Sequence, residues 1–177
     1  RNGLVELVKY GIINSGIFFQ QLEGGLNLIL ARDRTFMETI ILTACRIKKG
    51  IVEMDEKEEG QRRILNFGHT LGHAIEQSSA YTISHGRSVA LGIIAATRLS
   101  TRLCGLPAED SNRIERIVAS LGIDCFLPRE IATEDILAAL KRDKKKAGDE
   151  INFVLLKRIG IPFIIGSIPK NLLMESI

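Results

Sequence analysis

The sequence predicts a mainly α fold, a multi-helix domain with a small β-hairpin near the C-terminus. Three observations carry that reading. Apolar residues recur at helical spacing along most of the 177 residues. Gly, Pro and Asn clusters divide the chain into helix-length segments, and only residues 151–165 combine strand-length runs with β-branched and aromatic side chains.

Taken in order, residues from about 4 to 13 and from about 15 to 22 read as two short helices separated at Asn14-Ser15-Gly16, a breaker cluster. Phe36, Ile40, Ala44, Ile47 and Ile51 step by four, four, three and four, which draws one apolar stripe on a long helix. Thr35-Phe36-Met37-Glu38 fits a capping box at its start. The segment from Arg62 to Glu76 reads as another helix. A further one covers about 86–103 and ends at Cys104-Gly105-Leu106-Pro107; the next, about 108–121, stops at Gly122 as its C′ glycine. Thr133 is placed as the N-cap of a helix near 134–143, with Ile136, Leu137 and Leu140 inward. Ile151–Leu156 and Ile161–Ile165 form the hairpin around Lys157-Arg158-Ile159-Gly160, and Pro162 puts its strand at an edge.

Composition narrows the class. The chain is 45% hydrophobic and 25% charged, with 16 Gly, 4 Pro and no Trp, which excludes collagen-like, low-complexity and disordered readings. One domain spanning residues 1–177 can bury a core without disulfides. Because the chain starts at Arg1 in helix-like sequence rather than at Met, a preceding N-terminal part is expected. With 24 Lys plus Arg against 21 Asp plus Glu, the net charge of +3 is too mild for a nucleic-acid or membrane surface, so anion recognition must be local. Cys45, Cys104 and Cys125 are odd in number and widely spaced, which argues for a reduced cytoplasmic protein with small buried thiols. No apolar run reaches the ~18 residues of a membrane span, and no G-x-G-x-x-G or Walker loop is present.

All three histidines fall in one stretch: Asn66-Phe67-Gly68-His69-Thr70-Leu71-Gly72-His73-Ala74-Ile75-Glu76, followed by His85-Gly86. On a continuous helix, Arg62, Asn66, His69 and His73 lie at about 0°, 40°, −20° and 20° and form one polar stripe. Ile64, Phe67, Leu71 and Ile75 face the core. A merely solvated face is usually Lys and Glu; Asn with two His indicates a cleft. Gly68 and Gly72 cost ~1 kcal/mol each against Ala and point to a close approach to the backbone. Two imidazoles and a carboxylate suit a catalytic zinc, which keeps an open position. Spacing pairs His69 with His73 at i, i+4, with His85 as a third donor. The candidate carboxylates are Glu6, Glu53, Asp55, Glu56, Glu58, Glu59 and Glu76, and spacing does not choose among them.

Read together, five segments resemble 3-dehydroquinate synthase in order and spacing over essentially the whole chain. They are Arg1–Gly11 with Glu6 and Lys9, Asp55–Arg62, Leu65–Glu76, His85-Gly86, and Arg142-Asp143-Lys144-Lys145. The resemblance covers that family's C-terminal helical domain. It implies an N-terminal α/β domain that binds NAD and has no counterpart here.

The resemblance implies Glu6, His69 and His85 as metal ligands, with His73 turned to the substrate phosphate, which revises the spacing guess. It places Lys9, Lys48, Glu58, Arg62, Asn66 and one or both of Lys144 and Lys145 at the remaining active-site positions. By charge alone, Lys141–Lys146 is a solvated basic loop and Glu58 part of a solvated helix end. After His85-Gly86 the family has Glu-Ala, whereas this chain has Arg87-Ser88, a change of charge expected to alter the field beside the metal.

The implied activity is that of an NAD- and metal-dependent lyase of the shikimate route to aromatic amino acids. It converts 3-deoxy-D-arabino-heptulosonate 7-phosphate to 3-dehydroquinate and phosphate by transient oxidation, phosphate elimination, reduction and aldol closure. The implied metal is Zn2+, with Co2+ as an alternative, and NAD comes through the absent domain. The expected partners are therefore the sugar-acid phosphate and the N-terminal NAD-binding domain, without nucleic acid or membrane, and a homodimer is compatible. No full turnover is expected from this chain alone. Another sugar-phosphate cyclase, a metal-dependent polyol or alcohol dehydrogenase, and a non-catalytic helical module are the alternatives; the Arg62 and Lys144-Lys145 anion set argues against the dehydrogenase.

Overall fold

The computed structural model describes residues 2–58, 60–147 and 151–177, with the side chains of 143–147 outside the description. The order is α1 (Asn2–Asn14), α2 (Gly16–Gly24), α3 (Leu26–Ala31), α4 (Arg34–Met54), a 3-10 helix (Gln61–Asn66), α5 (His69–Ser78), α6 (His85–Cys104), α7 (Ala108–Ser120), α8 (Thr133–Ala147), β1 (Phe153–Arg158), β2 (Ile161–Ile165) and α9 (Lys170–Ser176). The mainly α fold with one antiparallel hairpin is therefore what the sequence predicts. The short α3 and α9 lacked a clear periodic signal.

α6 is the axis of the core. Every residue from Val89 to Thr97 is buried, as expected for a helix apolar all round. Its hydroxyls are satisfied internally: Thr97 Oγ1 donates to the Ile93 carbonyl and Ser100 Oγ to that of Ala96. Ser100 Oγ also accepts from the Leu156 amide, which fastens β1 to α6. α1 packs against α6, α2 and α4, and its own run Leu7–Ile13 is buried.

Several local expectations change. α4 is capped by Asp33, whose Oδ1 accepts from the Phe36 amide, and not by a Thr35-Glu38 box. Glu38 instead accepts from Arg34 Nε. The stripe on α4 is real, with Ile40, Ala44 and Ile51 buried. The histidine helix is not continuous. Asp55 Oδ2 accepts from the amides of Gly60 and Arg62 and starts a 3-10 helix there. The chain then turns at Gly68, in the left-handed region with φ 76°, before α5 begins at His69. Arg62 and Asn66 thus project from a different helix than His69 and His73.

The close approach indicated by Gly68 and Gly72 is made by α6. A Cβ on Gly72 would lie 3.1 Å from the Ser88 carbonyl oxygen, and one on Gly68 2.5 Å from Ile93 Cγ1. Gly92 answers from the other side, so the α5–α6 contact is glycine to glycine. That packing accounts for the glycine spacing.

β1 and β2 pair from Phe153 with Ile165 to Arg158 with Ile161, with an irregularity between Leu156 and Arg158. Lys157 and Arg158 belong to the strand, so the turn is shorter than predicted. Gly160, at φ 84°, donates its amide to the Ile12 carbonyl at 2.7 Å and ties the hairpin to α1. Gly105 and Gly122 end α6 and α7 with φ 69° each. α8 includes the basic run Lys141–Lys146, which is helix and not loop. Cys45 is exposed while Cys104 and Cys125 are half-buried, so none of the thiols is buried as expected. Among the described residues, no helix is long and apolar enough to cross a membrane.

Candidate metal and anion site

Glu6 and Lys9 sit one turn apart on α1, a helix otherwise committed to the core. Lys9 is only 3% exposed. Its ammonium lies 2.8 Å from Glu6 Oε2, which is the condition for keeping a buried cation. Burial still pushes the Lys9 ammonium below its usual range, with Glu6 opposing that shift and Lys48 of α4 adding to it. Lys48, on the exposed side of α4, is thereby brought to the rim of the same site.

The other carboxylate oxygen of Glu6 defines the centre. Oε1 lies 3.2 Å from Nε2 of His69, yet it is buried without a hydrogen-bond partner. The reason is the imidazole tautomer. His69 Nδ1 is 3.2 Å from the Phe67 carbonyl oxygen, which can only accept, so both ring nitrogens face acceptors and a neutral ring can donate to only one of them. With that proton on Nδ1, the ring turns the Nε2 lone pair towards the lone pairs of Glu6 Oε1, the arrangement a metal ion would bridge. Two acceptors facing one another call for a shared cation. His85 supplies the third donor: one ligand atom each from Glu6, His69 and His85 lies within 4.8 Å of the others. Burial would raise the Glu6 carboxyl, but in the metal-free chain a hydrogen bond from His69, which needs the ring proton on Nε2, and the Lys9 ammonium outweigh it and hold the group at about 2.

The rings of His69, His73 and His85 form a triangle, with centroids 5.5, 5.7 and 5.8 Å apart. His73 is exposed. It converges with Glu76 and His85 rather than with Glu6. The i, i+4 pairing of His69 with His73 read from spacing is thus not the one that gathers around Glu6.

Glu58, Arg62 and Asn66 form a second group. Asn66 Nδ2 donates to Glu58 Oε1 at 2.9 Å, and Arg62 Nε lies 3.8 Å from Glu58 Oε2. Arg62 also donates through Nη1 to the Glu56 carbonyl at 2.7 Å. Glu58 occupies this corner with a left-handed φ of 59°. It is a bend beyond the end of α4 and no longer part of the helix. Glu58 and Asn66 line a cleft of ≈ 280 Å³ with Arg63, Asn152 and Val154. Glu53 pairs with Lys49 on α4, while Asp55 caps the 3-10 helix. Glu59 lies outside the described residues, and Lys144 and Lys145 outside those with described side chains.

The structure places two residues differently from the sequence reading. Glu76 was one carboxylate among seven, although its place three residues after His73 on the same helix put it beside the cluster. Its Oε2 is 3.2 Å from His85 Nδ1. Arg87, expected to change the field at the metal, points elsewhere: Nη2 is 2.5 Å from Asp124 Oδ2 and donates also to the Phe126 carbonyl.

Fold and site together define a helical domain that offers the donors of a two-histidine, one-carboxylate metal centre beside a buried lysine. Residues 3–146 match the family described as 3-dehydroquinate synthase C-terminal, and the chain belongs to that family. It is 43% identical over 159 residues to the 3-dehydroquinate synthase of Desulforamulus reducens, covering 89% of this chain and 44% of that protein. To the enzyme of Dehalococcoides mccartyi it is 43% identical over 166 residues, or 94% of this chain and 46% of that protein. The chain thus spans about half the length of the curated relatives it matches.

Among solved structures, it resembles 2-epi-5-epi-valiolone synthase from Streptomyces hygroscopicus subsp. jinggangensis with NAD+ and Zn2+ bound. The TM-score is 0.88 at 20% identity, covering 99% of this chain and 49% of that one. It also resembles 2-deoxy-scyllo-inosose synthase complexed with carbaglucose-6-phosphate, NAD+ and Co2+, with TM-score 0.76 at 23% identity over 99% of this chain and 49% of that one. At such identities the likeness is one of fold.

Proposed function

We propose that this chain is the metal- and substrate-binding domain of a 3-dehydroquinate synthase. In this reading it acts with an NAD-binding α/β domain to convert 3-deoxy-D-arabino-heptulosonate 7-phosphate to 3-dehydroquinate and phosphate. The carrying observation is the unpartnered Glu6 Oε1 facing His69 Nε2 within reach of His85. Zn2+, or Co2+, held by Glu6, His69 and His85 would supply Lewis acidity towards a substrate hydroxyl and carbonyl, and NAD would supply the transient hydride exchange.

The chain's own residues bind and orient. Lys9, held by Glu6 with little exposure, presents a pre-placed positive charge whose position costs no reorganisation when an anionic substrate arrives. Lys48 adds a second cation at the rim. Arg62 offers a planar fork suited to a carboxylate; its 3.8 Å approach to Glu58 is the weaker of its contacts and the one a substrate carboxylate would replace. Asn66 has amide atoms for ring hydroxyls, and Glu58 fixes that amide. His73, exposed beside the other two rings, can donate to a phosphate oxygen. For Lys144 and Lys145, the resemblance of the Arg142–Lys145 segment supports a place at the same anion.

Metal analysis and turnover test this reading. The dialysed chain should retain one zinc, and His85→Ala should lose it. Joined to its NAD-binding domain and supplied with NAD+, the chain should form dehydroquinate, and Arg62→Ala should raise KM for the sugar-acid phosphate. A protein that holds no zinc, or that oxidises neutral polyols as readily as it binds the phosphate, would sink the reading.

A further inference from the structure

We propose that Glu76 is a positioning residue: it fixes the tautomer and ring orientation of His85 so that Nε2 faces Glu6 and His69. The inference rests on the metal reading above and adds to it a residue outside the ligand set. His85 is the first residue of α6. Its side chain is 43% exposed, so packing does little to hold the ring.

A device of the fold brings Glu76 to it. After α5 the chain reverses through Ala80 and Tyr81, both in the left-handed region at φ 49° and 62°. The turn is pinned by Ser79 Oγ donating to the Glu76 carbonyl, Thr82 Oγ1 to the Ser79 carbonyl, and the Tyr81 amide to the Glu76 carbonyl. His85 therefore begins α6 with Nδ1 3.2 Å from Glu76 Oε2. A carboxylate only accepts, so the proton lies on Nδ1 and the lone pair on Nε2.

The two histidines are thus set by different acceptors. His69 turns Nδ1 to a neutral carbonyl, and His85 turns it to an anion. Glu76, His73 and His85 also approach one another closely enough to hold an ion of their own. Such a site would take the Glu76 carboxylate away from Nδ1, so the two roles give opposite results.

The test compares Glu76→Ala and Glu76→Gln with the unaltered chain in zinc affinity, by chelator competition, and in the His85 nitrogen spectrum of the metal-free protein. Glu76→Ala should bind zinc roughly 10- to 100-fold more weakly and show protonated Nε2 at His85. Glu76→Gln keeps an acceptor oxygen without the charge and should fall between. The Glu76 carboxylate lies against His85 Nδ1 at the half-exposed edge of α5, and unchanged circular dichroism would verify that the fold does not depend on it. Unchanged affinity with an unchanged tautomer overturns the proposal, as does a second zinc lost in both Glu76→Ala and His73→Ala. If the unaltered chain binds no zinc, the metal reading fails by itself, and the tautomer comparison still decides the role of Glu76.

Discussion

Glu6 Oε1 and His69 Nε2 face each other at 3.2 Å, while the second oxygen of the same carboxylate holds a buried lysine. One carboxylate thus joins the metal donors to the anion-binding charge. Its pKa is the measurable trace of that arrangement in the metal-free protein.

Acid should therefore unfold the zinc-free chain through Glu6. The carboxyl stands at about 2 in the folded state against an ordinary 4.5. A group depressed on folding adds stability that is complete above the unfolded value and lost as pH falls through the folded one. In urea unfolding with chelator present, the unaltered chain should exceed Glu6→Gln in stability at neutral pH. The gap should close between about pH 5 and about pH 2, the window set by those two values. A gap independent of pH would mean that Lys9 and His69 do not engage the carboxylate in the folded chain.

Adding a methyl group at Gly92 should damage fold and site together. Its Cβ would be placed on the Gly68 carbonyl oxygen and 2.8 Å from the Gly72 amide nitrogen. These backbone atoms cannot yield without parting α5 from α6, which carry His69 and His85. Ala gains up to ~1 kcal/mol in helix propensity, whereas overpacking costs typically ~1–3 kcal/mol and sometimes more. Gly92→Ala should lower both Tm and zinc affinity. Gly50→Ala, where nothing lies within 4 Å, should raise Tm and leave zinc binding alone. Equal behaviour of the two variants would refute the close-packed seam.

These contacts also show what the sequence could carry. The helices α4 and α7 and the β-branched hairpin were legible because burial on one face leaves a period, whereas α6, buried all round along its middle, was legible from its length and from the Gly-Leu-Pro stop at its end. The donor set entered through the resemblance, since seven carboxylates are equivalent by spacing and only the tertiary fold brings Glu6 to His69 across 63 positions. The break at Gly68 was not legible: the polar stripe from Arg62 to His73 is consistent with an unbroken helix until Asp55 captures the amides of Gly60 and Arg62. The glycine pair was read correctly as a close approach, but the partner was α6, a long-range contact that no local pattern encodes.

Ser88→Ala should stabilise the protein. Ser88 is fully buried on α6 and its Oγ has no hydrogen-bond partner, a cost of about 1–3 kcal/mol for a stranded polar atom. Ala removes the hydroxyl, fits the same volume and is the better helix former. A gain of about 1 kcal/mol corresponds to a rise of about 2–4 °C in Tm for a chain of this size. No rise would show that a buried water already satisfies the hydroxyl.

Arg87→Glu, which restores the charge expected from the family pattern, should loosen a loop and leave the metal alone. The guanidinium donates through Nε to the Asp124 carbonyl and through Nη2 to Asp124 Oδ2 and the Phe126 carbonyl. It thereby ties the segment between α7 and α8 to the start of α6. Because its charge is matched by Asp124, little of it is left to act on His85, two residues away. Arg87→Ala should cost about 1 kcal/mol, given the partial exposure of the pair. Arg87→Glu should cost more, because it sets one carboxylate against another. Both should speed amide hydrogen exchange over residues 123–127 with zinc affinity unchanged. A variant that altered zinc affinity while exchange in that loop stayed constant would show that the guanidinium acts on the metal site through its field.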